Sequence, residues 1–532
     1  MANYKLNESQ KQAVEYFDGP LIIVAGAGTG KTTVITEKIS HILKNNLATA
    51  EEVLALTFTE KAATEMFDRV DADIDIGYVD LQISTFHAFC QKILEEYGLH
   101  IGLSQKFKLI TETDAWLLAR QNLDKFNLDY YRPMGNPASH LHALISHFQK
   151  CKDELITPAD YLRYAEGVTL NNDSVVLSSR AQPRDPLNQN IRDSSTPLHS
   201  AQNDSVDDDD TDVKRLTEIA NAYHVYNQLL LDNNALDFAD LIFYTTKLLK
   251  ERPAILKTLQ KKFKYILIDE FQDVNWSQYQ LVRLLTGGTS QLTVVGDDDQ
   301  SIYAFRGASV SNILRFKDDF PQAKEIVLNE NYRSQQEILD YAYKLIQNNN
   351  PDRLEVKLNV NKKLIFTGEK KESDAPAVAH IHCATLDEEV KKTLEEIARL
   401  KHSDINTKWS DFAILVRANS HSEPFISALE KSGMPYEFLA ASGLYRQPLV
   451  LDCLNFFKLL DNYRESSAVF RLLLLPVWKI DDHDLQKITY NAKRKTISFY
   501  ESLKYAEQFG LSPQGIETAN KLTAIINPGL QN

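Results

Sequence analysis

Cysteine is scarce in this chain of 532 residues, which contains only Cys90, Cys151, Cys383 and Cys453. The four lie far apart and form no C-x-x-C pair, so the sequence excludes a disulfide scaffold and a thiolate zinc site of familiar spacing. The 19 glycines and 17 prolines fall below average usage, which excludes a fibrous or low-complexity protein. So few cysteines are typical of a protein in a reducing cytosol.

Long apolar segments are also missing. No run approaches the ~18 residues that a membrane helix needs, and the opening MANYKLNESQ lacks the apolar core of a signal peptide. We therefore expect a cytoplasmic protein with no membrane partner. Hydrophobic residues at 43% and charged residues at 25% are ordinary for globular proteins, and the length predicts three or four domains of about 150 residues each.

A net positive charge, which would indicate a broad phosphate-binding surface, is missing as well. The formal net charge is −14, and six of the negative charges lie in one acidic stretch, at Asp204, Asp207–Asp210 and Asp212. Net charge describes solubility and long-range steering, so it does not exclude a narrow basic groove. Binding of nucleic acid has to be argued from the local sequence.

What the sequence contains is an alternation of short apolar runs with helical patterns. The runs lie at Leu21–Val24, Val53–Phe58, Leu81–Thr85, Tyr265–Ile268 and Leu292–Val295. This alternation predicts an α/β fold with a parallel sheet and helices on its faces. Helical patterns fill residues 86–165 and the chain after about residue 450. A second α/β region is expected from Ile326, with strands at Ala377–Ile381 and Phe412–Val416.

Residues 168–212 differ in composition from the rest of the chain. They are rich in Ser, Asn, Asp, Gln and Pro and poor in large apolar side chains. Such a segment buries too little surface to offset the entropy lost on ordering, so we predict a disordered surface insertion. A regulatory acidic segment that mimics nucleic acid is the alternative.

The strongest local feature is a glycine-rich turn between the first apolar run and a helix, with the sequence Ala25-Gly26-Ala27-Gly28-Thr29-Gly30-Lys31-Thr32. Glycines let backbone N–H groups turn toward phosphate oxygens, and the helix N-terminus adds a favourable dipole. The pattern predicts a P-loop (Walker A) NTPase in which Lys31 reaches the β- and γ-phosphates of ATP and Thr32 offers its hydroxyl to Mg²⁺. A glycine turn with an incidental lysine is the alternative.

Polar side chains follow two later apolar runs. Asp269 and Glu270 come directly after Tyr265–Ile268, and Gln300 follows Leu292–Val295. We predict that Asp269 holds the Mg²⁺ shell, that Glu270 is the general base for the attacking water, and that Gln300 contacts the γ-phosphate or its water. Plain solvation of a strand end is the alternative for the two acids.

Two further segments indicate nucleic acid and phosphoryl transfer. Tyr303, Phe305 and Arg306 form an aromatic–x–aromatic–Arg run that suits base stacking and phosphate contact on a single strand, with core packing as the alternative for the two rings. Arg333 opens the second α/β region and is predicted to neutralise transition-state charge.

Together these segments resemble the motif series of superfamily 1 DNA helicases of the UvrD/Rep type. The matching segments, in chain order, are Leu6–Val14 (Q motif), Ala25–Thr33 (motif I), Leu56–Met66 (motif Ia), Ser84–His87 (motif Ib), Leu236–Leu241, Ile268–Asp273 (motif II), Gly296–Gly307 (motif III), Asn331–Ser334 (motif IV) and a later segment from Met434. The resemblance runs from residue 6 to about residue 480, interrupted by 168–212.

The resemblance implies an ATP-dependent 3′→5′ DNA helicase or translocase that uses ATP and Mg²⁺. It implies action on single-stranded DNA and duplex–single-strand junctions in DNA repair or replication. The implied ATP-binding residues are Gln10, Ala25, Gly26, Ala27, Gly28, Thr29, Gly30, Lys31, Thr32, Thr33 and Tyr332. The implied catalytic residues are Glu270, Gln300 and Arg333, with Thr32 and Asp269 at the metal. The implied DNA-binding residues are Phe58, Thr85, His87, Tyr303, Phe305 and Arg306.

The resemblance also implies RecA-like parallel sheets with inserted helical subdomains. We expect a first RecA-like ATP-binding domain from residues 1–90 and 213–328, and an inserted helical subdomain at 91–212. A partial second RecA-like domain is expected at 329–462 and a truncated helical subdomain at 463–532.

The sequence departs from the family pattern at several points. Ala25 stands where the strict loop has glycine, Thr33 where many relatives carry arginine, and Phe305 where many carry tryptophan. Two later motifs, T-x-H-x-A-K-G-L-E and R-R-L-x-Y-V-A-x-T-R-A, are not found. We therefore expect a truncated or split helicase whose missing C-terminal motifs are supplied by a separate chain.

Two other functions stay open. One is the ATPase portion of a helicase–nuclease subunit. The other is an ATP-binding nucleic-acid sensor that does not unwind, which the presence of Lys31, Asp269 and Glu270 disfavours.

Overall fold

The computed structural model describes residues 6–74, 81–170, 207–287, 291–302, 310–368, 377–439, 448–461, 466–475, 477–478, 480–495 and 497–530. The chain divides into two compact units, Met1–Ala379 and His380–Asn532. No helix among the described residues has both the length and the apolar character needed to cross a membrane.

The first unit contains short strands, and Leu21–Ala25 and Val53–Thr57 among them are apolar and buried along nearly their whole length. The strands are β1 Leu21–Ala25, β2 Val53–Thr57, β3 Gln82–Thr85, β4 Lys108–Leu109, β5 Ala235–Leu236, β6 Tyr265–Ile268, β7 Gln291–Gly296, β8 Lys324–Leu328, β9 Glu330–Asn331 and β10 Ile365–Phe366. Six of them form a sheet in the order β3-β2-β6-β7-β1-β8, and every pairing in it is parallel. Two small pairs, β4 with β5 and β9 with β10, lie outside it.

Helices connect these strands and cover the sheet. They are α1 Glu8–Glu15, α2 Lys31–Lys44, α3 Glu60–Asp73, α4 Phe86–Tyr97, α5 Glu112–Gln121, α6 Leu141–Asp153, α7 Pro158–Leu170, α8 Asp207–Asp232, α9 Phe238–Glu251, α10 Pro253–Lys262, α11 Trp276–Thr286, α12 Val310–Asp319, α13 Gln336–Ile346 and α14 Leu354–Lys357. Short 3₁₀ turns follow β6 at Phe271–Asp273 and β7 at Asp298–Gln300.

The sheet is buried on both faces, and alternate residues of one strand serve different cores. In β1, Ile22 and Val24 pack with α4, α9 and α11, whereas Leu21 and Ile23 pack with α1, α2 and α3 on the opposite face. This follows from the two-residue period of a strand, and a parallel sheet buried on both faces is typical of α/β proteins. The predicted α/β class, with a parallel sheet and RecA-like character, is confirmed.

A helical insertion lies between β4 and β5. Helices α5 to α8 pack around Phe148, Tyr223 and Tyr226, and the β4–β5 pair joins the two ends of the insertion, with Lys108 opposite Ala235. The helical pattern of residues 86–165 is therefore present in the structure as α4 to α7.

The predicted disordered segment overlaps these helices at both ends. Residues 171–206 lie outside the described residues. However, α7 extends to Leu170 and α8 begins at Asp207, so the end of the acidic stretch begins a helix instead of a loop.

The strands expected in a second α/β region are not where the sequence placed them. Ile326 lies in β8 at the edge of the first sheet, opposite Ile23 of β1. Within the described residues, Ala377–Ile381 and Phe412–Val416 have no strand assignment. An apolar run becomes a strand only when a neighbouring strand shares its hydrogen bonds, and sequence periodicity does not report that neighbour.

The second unit is helical in its described residues. Its helices are α15 Leu386–Ser403, α16 Glu423–Ser432, α17 Pro448–Asp461, α18 Ser466–Leu473, α19 Asp482–Lys495, α20 Phe499–Leu503 and α21 Pro513–Leu530. Helices α17 to α21 share a core that includes Leu472, Ile488 and Tyr500. The helical pattern predicted after residue 450 is confirmed.

Candidate functional site

The glycine-rich turn connects β1 to α2 with two residues in the left-handed region of backbone space. Gly28 has φ of 75° and Gly30 has φ of 84°. A side chain at Gly28 would also meet Asn331 Nδ2 at 2.7 Å, so this position requires glycine for both conformation and space. Thr29 Oγ1 donates to the Gly26 carbonyl at 2.8 Å and closes the turn. Ala25, the last residue of β1, is fully buried.

Lys31, which follows β1 and the loop, contacts residues that follow β6 and β7. It is the first residue of α2 and is largely buried, and its Nζ donates to Glu270 Oε2 at 2.8 Å and to Gln300 Oε1 at 3.0 Å. Glu270 follows β6 and Gln300 follows β7. Because the carboxyl ends of parallel strands meet at one edge of the sheet, residues far apart in sequence converge there.

Thr32 and Asp269 form a pair of oxygen donors beside this lysine. Thr32 Oγ1 donates to Asp269 Oδ2 at 3.3 Å. Burial raises the pKa of Asp269 to about 6, and the charge of Glu270 adds to the shift. A hydroxyl and a carboxylate suit Mg²⁺, which prefers hard oxygen ligands and takes few of them from the protein. The donor chemistry of the pair therefore fits this ion.

Glu270 has an unusual backbone that separates it from Asp269. Its φ is 50°, a left-handed conformation that costs a non-glycine residue of order 1–3 kcal/mol and clusters at functional sites. Gln272 Nε2 donates to Glu270 Oε2 at 2.8 Å. The turn thus directs the two neighbouring carboxylates to different partners, Asp269 to Thr32 and Glu270 to Lys31.

Asp273 also belongs to this group, although the sequence analysis assigned it no role. It is buried, and burial together with the charge of Glu270 raises the pKa of Asp273 to about 6. In the sequence, Asp273 could have been recognised as a candidate because it belongs to the Ile268–Asp273 segment. In the structure it ends the 3₁₀ turn that follows Glu270.

Gln10 and Tyr332 both donate to backbone carbonyls of the loop. Gln10 Nε2 donates to the Thr29 carbonyl at 2.9 Å, while Gln10 Oε1 accepts the Asn7 N–H at 3.0 Å in the N-terminal cap of α1. Tyr332 N donates to the Gly28 carbonyl at 3.0 Å, and the Tyr332 hydroxyl accepts from Asn7 Nδ2 at 2.8 Å. Both ends of the Gln10 amide are therefore engaged within the protein, and the Tyr332 ring is exposed.

These groups line one cleft of about 980 Å³, within the size range of ligand pockets. The predicted residues on its wall are Gln10, Ala27, Gly28, Gly30, Lys31, Thr32, Thr33, Glu270, Gln300, Tyr332 and Arg333. Glu37, Arg69 and Asp73 also line the cleft and were not predicted. The predicted residues Ala25, Gly26, Thr29 and Asp269, the last of which accepts from Thr32, are not among the residues that line the cleft.

The predicted DNA-binding residues fall into two groups. Tyr303, Phe305 and Arg306 lie outside the described residues. Phe58, Thr85 and His87 follow or end β2 and β3. The Thr85 hydroxyl caps α4 by accepting the Ala88 N–H at 3.2 Å and donates to Glu60 Oε1 at 2.7 Å.

His87 has an aromatic neighbour that the sequence analysis did not assign. Phe238, the first residue of α9, lies edge-to-face with the His87 ring at 5.9 Å between centroids and is 48% exposed. Burial lowers the pKa of His87, which favours a neutral ring. The signal for Phe238 was present in the Leu236–Leu241 segment, where a large aromatic directly follows a capping aspartate.

Two family models match almost the whole chain. The UvrD/REP helicase N-terminal domain matches residues 6–321, and the UvrD-like helicase C-terminal domain matches residues 326–525. Curated relatives include proteins named ATP-dependent DNA helicase PcrA from Staphylococcus aureus strain Mu50 and Staphylococcus epidermidis strain RP62A. Each is 32% identical over 507 residues, which is 95% of this chain and 60% or 61% of the relative. The chain thus spans about 60% of the length of these relatives.

The match to the C-terminal model corrects one expectation from the sequence. A truncated or split chain was expected because two short motif strings were not found, but the C-terminal domain model matches residues 326–525. A domain model weighs every position of a domain, whereas a motif string tests a few, so a missing string is weak evidence for a missing domain. Given this match and that of the N-terminal domain, the chain belongs to the UvrD/REP helicase family.

Proposed function

We propose that this chain is the motor of an ATP-dependent 3′→5′ DNA helicase or translocase. It would couple hydrolysis of MgATP to movement along single-stranded DNA and to strand separation at duplex–single-strand junctions, in DNA repair or replication. The observation that carries the proposal is the meeting of Lys31 with Glu270 and Gln300 at the carboxyl edge of the sheet. The names of the PcrA relatives, which are ATP-dependent DNA helicases, support the same reaction.

The nucleotide would bind in the cleft beside the loop. Backbone N–H groups from Ala25 to Thr33 and the N-terminus of α2 supply donors for phosphate oxygens, and Lys31 supplies the positive charge. Tyr332 offers an exposed ring for stacking on the adenine. Gln10 donates to Thr29 beside the loop, and its second amide N–H and second oxygen lone pair would contact the base edge.

Thr32 and Asp269 would hold Mg²⁺, which when bound neutralises charge on the β- and γ-phosphate oxygens. With a pKa of about 6, Asp269 is ionised at neutral pH and can serve as a ligand. Glu270 would accept a proton from the attacking water as general base. Gln300 would contact the γ-phosphate, and Arg333 would neutralise the charge that develops in the transition state.

Single-stranded DNA would run along the edge formed by Phe58, Thr85 and His87, and over Tyr303, Phe305 and Arg306. We add Phe238 to this set because its exposed ring packs beside His87. Aromatic rings bind bases by stacking without regard to sequence, as a translocating protein requires.

The domain assignment also remains a proposal. Residues 1–90 and 213–328 would form the first RecA-like domain, and the helices between them would form the inserted subdomain. Residues 329–368 belong with the first unit, where Asn331 Nδ2 donates to the Ala27 carbonyl at 2.5 Å. This contact keeps Tyr332 and Arg333 at the loop.

DNA-stimulated ATP hydrolysis is the test. We expect the wild-type chain to hydrolyse ATP faster when single-stranded DNA is added, and to separate duplexes with a 3′ tail but not those with a 5′ tail. Lys31→Ala should abolish hydrolysis because the phosphates lose their main counter-ion. Nucleotide and DNA binding without stimulated hydrolysis would indicate an ATP sensor and overturn the proposal.

A further inference from the structure

Three consecutive aspartates after β7 surround a buried lysine from a distant segment. Lys362 Nζ donates to Asp297 Oδ1 at 2.7 Å and to Asp299 Oδ2 at 2.8 Å, and it also contacts Asp298 Oδ1. The Lys362 side chain is only 4% exposed. The three carboxylates are close enough together to resemble a metal site, but the ammonium group lies among them and supplies the positive charge.

Arg353 completes this cluster from the same segment as Lys362. Its Nε and Nη2 donate to the two carboxylate oxygens of Asp299 at 2.8 and 2.7 Å, and the Leu354 N–H donates to Asp298 Oδ2 at 2.7 Å. Burial alone would lower the pKa of Lys362, but the three aspartates outweigh it and hold that pKa above its usual value. The lysine therefore stays charged throughout the physiological pH range.

Asp297 connects this cluster to the nucleotide cleft. One of its carboxylate oxygens accepts from Lys362, and the other accepts from Gln300 Nε2 at 2.6 Å. Gln300 Oε1 in turn accepts from Lys31 Nζ at 3.0 Å. An ammonium donor on one side and a carboxylate acceptor on the other leave a single orientation of the Gln300 amide that satisfies both.

The backbone of Asp297 reaches the second catalytic group as well. Its N–H donates to Gln272 Oε1 at 3.0 Å, and Gln272 Nε2 donates to Glu270 Oε2 at 2.8 Å. Asp297 therefore contacts Gln300 directly and reaches Glu270 through Gln272. A shift of its carboxylate would move Gln300 directly, whereas Glu270 is held through the backbone.

We propose that Lys362 is a positioning residue for γ-phosphate recognition: it fixes and neutralises Asp297, which holds the Gln300 amide toward Lys31. The inference rests on the proposed function, because it assumes that Gln300 contacts the γ-phosphate. Without Lys362, the Asp297 carboxylate would lose the cation that fixes one of its oxygens. Gln300, which donates to the other oxygen of Asp297, would then lose its fixed orientation toward Lys31.

The test compares the affinities of a non-hydrolysable ATP analogue and of ADP, each with Mg²⁺, in Lys362→Met and wild type. ADP lacks the phosphate that Gln300 would contact. We expect the substitution to weaken analogue binding about tenfold, the worth of a hydrogen bond to a charged group, and to change ADP binding less than twofold. A purely structural role would weaken both equally.

Lys363→Met is the matched control. Lys363 is the next residue, carries the same charge, is about half exposed and pairs only loosely with Asp340 at 3.4 Å. Its substitution should change neither affinity. A double-mutant cycle supplies a second test: in a Gln300→Ala background, Lys362→Met should cause no further loss of analogue affinity, because it acts through the amide already removed.

Removing a buried cation can prevent folding, so thermal unfolding accompanies each measurement. If Lys362→Met does not fold, Asp297→Asn tests the same link and should show the same selective loss. Equal loss for both nucleotides, an unchanged analogue affinity or additivity with Gln300→Ala would overturn the inference and leave the proposed function standing. A wild-type chain that binds neither nucleotide would overturn both.

Discussion

At the scale of single residues, the adjacent carboxylates of Asp269 and Glu270 lie in different environments and have different partners. Asp269 is buried and faces a hydroxyl, whereas Glu270 is half exposed and faces Lys31. Burial favours the neutral form of the Asp269 carboxyl and raises its pKa. The left-handed backbone at Glu270 is what allows two adjacent side chains to occupy such different environments.

Glu270→Gln should separate binding from catalysis. The amide keeps the shape of the side chain but cannot accept a proton, so we expect MgATP affinity to be retained and turnover to fall by about 10²–10⁴-fold. Equilibrium binding and steady-state hydrolysis measure the two quantities. A parallel loss of binding and turnover would contradict the role of general base.

Protonation of Asp269 should oppose Mg²⁺ binding. Because its pKa is raised to about 6, the affinity for Mg²⁺ should fall as the pH is lowered through 6. Between about pH 4 and 6 the native state holds more protons than the unfolded chain, so this group makes metal-free stability fall as the pH rises. Melting temperatures against pH, with and without Mg²⁺, test both effects.

Asp269→Asn is the control for that experiment. The variant has no carboxyl to titrate at this position. The difference between its melting temperature and that of wild type should therefore change with pH between about 4 and 6. A difference that is independent of pH would exclude Asp269 as the titrating group. Asp273, whose pKa is also raised to about 6, should contribute a similar slope that persists in this variant.

Phe238→Ala should weaken binding of single-stranded DNA by about 1–3 kcal/mol, the worth of one base–aromatic stack. The dependence of affinity on salt should not change, because no phosphate contact is removed. Binding titrations at several salt concentrations measure both. Phe67→Ala, which removes an exposed phenylalanine on α3, is the matched control and should leave DNA affinity unchanged.

At the scale of elements, a buried lysine joins the helix that carries Gln10 to the helix that follows the phosphate loop. Lys38 of α2 donates to the carbonyls of Ala13, Val14 and Tyr16 at 2.9, 3.3 and 2.6 Å, and its ammonium lies 4.1 Å from the centroid of the Phe17 ring. The C-terminal carbonyls of a helix have no partner within the helix, so this lysine caps α1 from outside.

Lys38→Met should therefore destabilise the first unit by about 1–3 kcal/mol, the cost of leaving a buried acceptor unsatisfied. We also expect weaker nucleotide binding, because α1 positions Gln10. Chemical denaturation and nucleotide titration provide the two measurements. Lys44→Met, on the same helix but exposed and paired with Asp73 at 2.6 Å, should have little effect on either.

The sequence predicted those strands and turns that are recognisable from a few consecutive residues. Four strands, β1, β2, β6 and β7, were predicted because burial on both faces makes each a continuous apolar run. The phosphate loop was predicted because its backbone conformation requires glycine. The sequence did not predict that Lys362 and Arg353 pair with the aspartates after β7, because charged residues carry no periodicity. The strand pattern also suggested that a second α/β region starts at Ile326, whereas this residue pairs with Ile23 in the first sheet, and strand pairing cannot be seen in local sequence.

At the scale of the whole molecule, every residue that lines the cleft belongs to the unit Met1–Ala379. Residues 1–379 expressed alone should therefore fold and bind MgATP with the affinity of the full chain. Isothermal titration compares the two proteins directly. A fragment that folds cooperatively but does not bind nucleotide would show that residues 380–532 contribute to the cleft.

The strand order has a consequence for synthesis on the ribosome. Strand β1, which leads into the phosphate loop, has its sheet neighbours in β7 and β8, and β7 begins only at Gln291. At bacterial-type rates of about 5–20 residues per second, β1 waits on the order of 10–50 s for its first partner. During that time the emerging apolar strand depends on α1 and α2, or on a chaperone, for protection from aggregation.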